Sequence, residues 1–90
     1  MGRRKINIGI KTVFGGLYAE REWIIDCSKS KKWASASSKD FLIKDIVRVC
    51  ESATDKLMGM YLVDAITWRE YIQYKARITN RMDEMLAIIK

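Results

Sequence analysis

The chain has 90 residues, with 17 Lys and Arg against 11 Asp and Glu, a formal net charge of +6, no histidine and no proline. That length makes one small domain with a thin core, burying roughly 60–65% of the surface an unfolded chain exposes. The absence of histidine excludes the commonest general base, and the longest apolar stretch, Met58–Val63, is far short of the ~20 residues a membrane span needs.

Residues 5–26, KINIGIKTVFGGLYAEREWIID, read as a β-hairpin turning at Gly15-Gly16. In that register Ile6, Ile8, Ile10, Thr12 and Phe14 share a face with Leu17, Ala19, Arg21, Trp23 and Ile25. Lys11 falls opposite Glu20 and Lys5 opposite Asp26, each pair worth a few tenths of a kcal/mol. Paired glycines also supply the positive φ angles of primed turns. A helix over Val13–Asp26 is the rival. It carries two glycines in its first turn, at about 1 kcal/mol each against alanine, and leaves the Ile6/Ile8/Ile10 alternation unexplained. The hairpin is the expected form.

Residues 27–38, CSKSKKWASASS, form a serine- and lysine-rich loop. Ser37 or Ser38 then caps a helix over about 39–63, with Leu42, Ile43, Ile46, Val49, Cys50, Ala53 and Leu57 on one stripe. The pattern blurs near Gly59, where the helix either breaks or is wrapped by other elements. Thr67-Trp-Arg-Glu70 is a capping box, with Ile66 and Tyr71 at the staple positions. It starts a second helix, about 68–89, with an inner stripe of Trp68, Tyr71, Ile72, Ile78, Met82, Met85, Leu86 and Ile89. Lys75 interrupts that stripe; its stem can lie along the apolar surface with the ammonium at the rim, or it pairs with Asp45 or Asp64 or sits at an interface. The expected fold class is α+β, a single domain in the order β-β-α-α, with the hairpin packed on an antiparallel helix pair.

Enzymatic chemistry is sparse, and a non-enzymatic role is expected. Ser28-Lys29-Ser30-Lys31 matches Ser-x-x-Lys, a spacing that arises by chance in a lysine-rich loop. No Gly-Lys-Ser/Thr follows Gly9 or Gly15, so no phosphate loop is present. Cys27 and Cys50 read as reduced thiols of a cytoplasmic protein, too few for a zinc site without histidine. No cofactor or metal is expected, and no signal peptide or membrane association is read.

The charge is segregated. Residues 1–19 hold Arg3, Arg4, Lys5 and Lys11 with no acid; 27–39 hold Lys29, Lys31, Lys32 and Lys39 with none; 71–82 hold Lys75, Arg77 and Arg81 with none. The hairpin register brings Arg3 and Arg4 to the same end as Lys29, Lys31 and Lys32, with Trp33 alongside to stack on a base. Arg69, Gln73, Arg77, Asn80 and Arg81 on the last helix add side chains able to contact phosphates and base edges. The expected function is a small basic nucleic-acid-binding regulator. The alternative is a protein-binding regulator or inhibitor, of phage or mobile-element type, that docks on another protein's acidic surface. A homodimer through Ile78, Met82, Met85 and Ile89, which fall at heptad spacing, is compatible with either.

Overall fold

A computed structural model describes residues 2–90, with side chains from Gly9 onward. It contains three long helices joined by short connections: α1 Gly2–Ser28, α2 Ala36–Leu62 and α3 Trp68–Ile89, with a 3-10 turn at Lys31–Trp33. No strand occurs among the described residues, so the expected α+β class is overturned in favour of an all-α three-helix bundle. Gly15 and Gly16 lie inside α1 and make no turn.

The helix wins because α1 carries a second, stronger periodicity. Ile10, Val13, Leu17, Glu20, Ile24 and Cys27 recur in alternating steps of three and four, a seam that faces partner helices. Val13, Leu17, Ile24 and Cys27 are buried, at 5, 1, 0 and 4% exposure. Fully burying one such aliphatic side chain is worth about 1.5–3 kcal/mol, so the seam outweighs two glycines at about 1 kcal/mol each. The hairpin's proposed inner face fails at Ala19, which is exposed, and at Trp23, 37% exposed. Its pair Lys11–Glu20 cannot form, because nine residues of helix separate the two by roughly 13 Å along the axis.

The helices run up, down and up. Met60 Cε on α2 comes within 3.0 Å of a Cβ position built on Gly9, so the start of α1 lies beside the end of α2. Phe14 meets Tyr74 with ring centres 5.8 Å apart, and Arg21 bonds Glu84 at 2.8 Å, so α1 and α3 are parallel. The result is a rod of 48 × 18 × 15 Å. All three helices feed one core, with Leu17, Ile24, Ile46, Leu57 and Met85 its largest fully enclosed side chains.

Helix α2 keeps its expected stripe, since Leu42, Ile46, Cys50, Ala53 and Leu57 are buried and Ile43 and Val49 pack against them. It starts earlier than expected: Ser35, not Ser37 or Ser38, is the cap, its hydroxyl accepting from Ser38 N–H at 3.2 Å. It also passes through Gly59 without breaking. Its end is closed by Asp64, which adopts φ 59°, while Ala65 N–H donates to Met60 O at 2.8 Å. The left-handed residue is an Asp, one of the few non-glycine types that enters this region readily.

The capping box at α3 forms as expected. Glu70 N–H donates to Thr67 Oγ1 at 3.1 Å, and Thr67 N–H donates to Glu70 Oε1 at 2.9 Å. Ile66 and Tyr71, the staple pair, are both 4% exposed. Of the expected inner stripe, Tyr71, Ile78, Met85 and Ile89 are buried, but Trp68 and Ile72 stand 54 and 45% exposed. With α1 present as a helix rather than a sheet, α3 has two helical neighbours. Its buried face turns toward Tyr74 and Ile88, which pack on the core instead.

Gly15 and Gly16 have nothing within 4 Å of an added Cβ and show no positive φ. Gly15→Ala and Gly16→Ala should each raise unfolding free energy by about 0.5–1 kcal/mol, read by urea denaturation. A loss of stability in both would point to a turn at this position.

Candidate nucleic-acid interface

The connection between α1 and α2 is short and tightly bonded. Ser30 N–H donates to Cys27 O at 3.0 Å and closes α1. The Ser30 hydroxyl then accepts from Lys32 N–H at 3.3 Å, and Ser35 starts α2 two residues after the 3-10 turn. The many serines of this stretch therefore act as caps. They hold Lys29, Lys31 and Lys32 on a fixed loop, all exposed, with Lys39 exposed on the first turns of α2. The Ser28 hydroxyl of the Ser-x-x-Lys spacing donates to Ile25 O at 2.7 Å, an ordinary helix-end bond.

Trp33 is half-buried rather than free. Trp23 meets it edge-on, centres 5.7 Å apart, and Phe41 stacks on it at 5.9 Å and 28°. The row Trp23–Trp33–Phe41 runs beside the lysines, and its accessible members are Trp23 and Phe41, the latter 55% exposed. Sequence reasoning missed both. The signal for Phe41 was present: it sits one residue off the α2 stripe, an aromatic on the polar side. Trp23 was concealed by the hairpin assignment.

Arg3 and Arg4 do not join this group. They lie in the first turn of α1, and their side chains fall outside the described residues. Twenty-five helical residues separate Arg4 from Lys29, roughly 37 Å at 1.5 Å per residue. The Debye length at physiological salt is only about 8 Å, so the two clusters act independently, and the shared cationic rim does not exist.

The α3 residues Arg69, Gln73, Arg77, Asn80 and Arg81 are all exposed. Arg77, Asn80 and Arg81 surround a shallow hollow with Glu84. The Arg77 guanidinium lies 4.3 Å from the Phe14 ring centre, a cation–π contact that anchors it to α1. Arg21 and Arg81 share one carboxylate: Glu84 accepts from them at 2.8 and 3.2 Å. Those bonds, Arg21's first and then Arg81's, hold Glu84 below the usual carboxylate range. This face is a packed α1–α3 seam with part of its charge already matched, and it is separate from the lysine end.

Two further expectations meet the geometry here. Lys75 is exposed, its ammonium 5.9 Å from the Tyr71 ring, at the rim of a groove between α2 and α3 lined by Glu51, Asp55, Ile78 and Met82. Asp45, one proposed partner, is bonded instead by Arg48. Of the residues expected at a dimer face, Ile78, Met85 and Ile89 are 2, 0 and 7% exposed and Met82 packs against them, so in this chain they fill the bundle's own core. Among the described residues, no three metal-ligating side chains come together, and no helix is long and apolar enough to cross a membrane.

Compared with protein-family models, with curated proteins and with solved structures, the chain finds no match.

Cys27 and Cys50 are free and each 4% exposed. Burial pushes both thiols up, Cys50 to about 11, so little thiolate exists at neutral pH. Reaction with a soluble disulfide reagent at pH 7.5 should be slow in buffer and rise by orders of magnitude in denaturing urea, followed by absorbance. Rapid labelling of the native protein would mean that the bundle opens readily at α1.

Proposed function

We propose that this chain is a small, non-enzymatic, cytoplasmic protein that binds single-stranded nucleic acid at the lysine-rich end of the bundle. The observation that carries the reading is the juxtaposition of Lys29, Lys31, Lys32 and Lys39 with an aromatic row whose outer members are exposed. Four cations without an acid between residues 27 and 39 suit a run of phosphates, which release counterions as they bind. Phe41 and Trp23 supply faces on which bases stack, at about 1–3 kcal/mol per base. Trp33 acts as the fixed middle of the row and not as the stacking residue. A rigid, capped connection keeps the lysines in place, so little ordering entropy is lost on binding.

Arg69, Gln73, Arg77, Asn80 and Arg81 contribute a second, weaker contact surface in this reading, and the long strand needed to reach both would run along the rod. Duplex reading by α3 is disfavoured, because Arg77 and Arg81 are already engaged by Phe14 and Glu84.

A protein-docking regulator is the second reading. It is favoured by the opposite end of the rod, where Leu62, Val63, Trp68 and Ile72 are 70, 74, 54 and 45% exposed. Exposed apolar groups gathered at one turn suit a protein partner.

Fluorescence anisotropy against labelled single-stranded and duplex DNA and RNA, across 20–300 mM salt, separates the two. Single strands should bind best, with a log–log salt slope of about −3 for four phosphate contacts. The double variant Lys31→Glu/Lys32→Glu should roughly halve that slope, and Phe41→Ala should weaken binding on the order of tenfold with the slope unchanged. Absence of binding to every nucleic acid at the lowest salt would transfer the assignment to a protein target.

A further inference from the structure

Helix α3 carries a second stripe that the bundle does not cover. Trp68, Ile72, Lys75, Thr79, Met82 and Leu86 recur in alternating steps of four and three, beside the buried stripe. Trp68 and Ile72 are 54 and 45% exposed, and Met82 and Leu86 are only half-buried. On α2, Ile43, Val47 and Thr54 fall at matching spacing around Cys50 and are also half-buried. Between the two helices lies a hollow of about 370 Å³ with Cys50, Ile78 and Met82 in its lining, and no described residue of α1 borders it. One side of the α2–α3 pair is thus filled by α1, while the other has no third helix.

The rims of this groove differ in sign. Glu51 and Asp55 are exposed along the α2 edge, and Lys75 along the α3 edge. Among the described residues none of the three is in an ion pair. The Lys75 ammonium lies 5.9 Å from the centre of the Tyr71 ring.

We propose that the α2–α3 groove is the face on which two copies of this chain pair. A two-fold axis parallel to the helices sets α3 of one copy against α2 of the other at the same height. Lys75 of each copy then faces Glu51 and Asp55 of the other. An axis perpendicular to the helices instead sets acidic rim on acidic rim, which like-charge repulsion disfavours. In the parallel arrangement each neighbouring pair among the four helices is antiparallel, the packing of an alternating four-helix bundle. It also brings Trp68 and Ile72 beside Leu62 of the other copy, which is 70% exposed in the single chain. A helix of one charge sign would satisfy one rim and leave the other facing its like, whereas a second copy satisfies both.

The exposed area agrees in size. A compact monomer of 10.5 kDa exposes about 5,400 Å². This chain, a rod 18 × 15 Å in cross-section, exposes 6435 Å². The excess is about 1,000 Å², against the roughly 800 Å² that each partner of a stable complex buries. Side-by-side pairing recovers that surface. It leaves Lys29, Lys31, Lys32 and Lys39 of both copies at one end, and it stands whether or not that end binds nucleic acid.

Sedimentation equilibrium of the full chain over about 1–200 µM tests the pairing. The mass should rise with concentration from 10.5 kDa to a plateau at twice that value. Ile72→Glu and Lys75→Glu, both at exposed positions, should each weaken pairing on the order of tenfold or more, with helix content by circular dichroism unchanged. Lys75→Glu mixed with the double variant Glu51→Lys/Asp55→Lys should restore the two-chain mass that neither reaches alone. A single-chain mass throughout, a mass that climbs past two chains without a plateau, or wild-type pairing in Lys75→Glu would overturn the proposal. Should Ile72→Glu lose its helical signal, the charge-exchanged mixture decides.

Discussion

Insertion of the α1 seam into the groove between α2 and α3 is the interaction on which the remaining structure depends. Helices α2 and α3 form an antiparallel pair with a short turn, and each still carries apolar surface on the side away from that turn's plane. Val13, Leu17, Ile24 and Cys27 cover it. Without α1, Leu42, Ile46 and Met85 would lose part of their enclosure, and a core this small has little margin to lose. The same insertion makes α1 and α3 parallel neighbours. That arrangement lets Arg21 and Arg81 share Glu84 and lets Arg77 settle over Phe14.

The placement of charge is a by-product of that packing. A helix of 27 residues carries its two ends about 40 Å apart. The N-terminal arginines and the lysines of the connection therefore belong to opposite ends of the rod. What remains at the lysine end is compact: four lysines and three aromatics, fixed by serine caps on both sides. What remains along α1 and α3 is an interface that uses its cations structurally. The single acid on the α1 seam, Glu20, has a buried carboxylate oxygen with no hydrogen-bond partner.

The second half of the fold was legible in the sequence. Thr67 and Glu70, three apart and followed by an apolar run, state a helix start in local chemistry, and nothing distant can overrule it. The α2 stripe was equally plain, because each of its apolar residues agrees with a single period. The first half was ambiguous for a physical reason. Between Ile6 and Phe14 a period of two runs through Ile6, Ile8, Ile10 and Phe14 while only Ile10 and Val13 belong to the helical seam, and Gly15-Gly16 lowers helix propensity where a turn would want it. The decision lies in Leu17, Ile24 and Cys27, whose burial depends on a groove made by residues of α2 and α3, far along the chain. Lys29, Lys31 and Lys32 could be placed on an exposed loop from composition alone. The company they keep could not, since Trp23 and Phe41 reach Trp33 only after α1 and α2 have packed.

An odd number of alternating helices has an electrical consequence. Each helix carries roughly half an elementary charge of backbone dipole at each end, positive at its start and negative at its finish. In an up-down-up bundle two of the three cancel, and one is left over along the long axis. The lysine-rich end receives the finishes of α1 and α3 against the start of α2, so its backbone is net negative beneath its cations. At the other end, where the α1 sequence opens with Arg3 and Arg4, the backbone is net positive. Peptide polarity thus steadies the lysines and works against the arginines, and the first turn of α1 is the place where this protein's own electrostatics oppose helix formation.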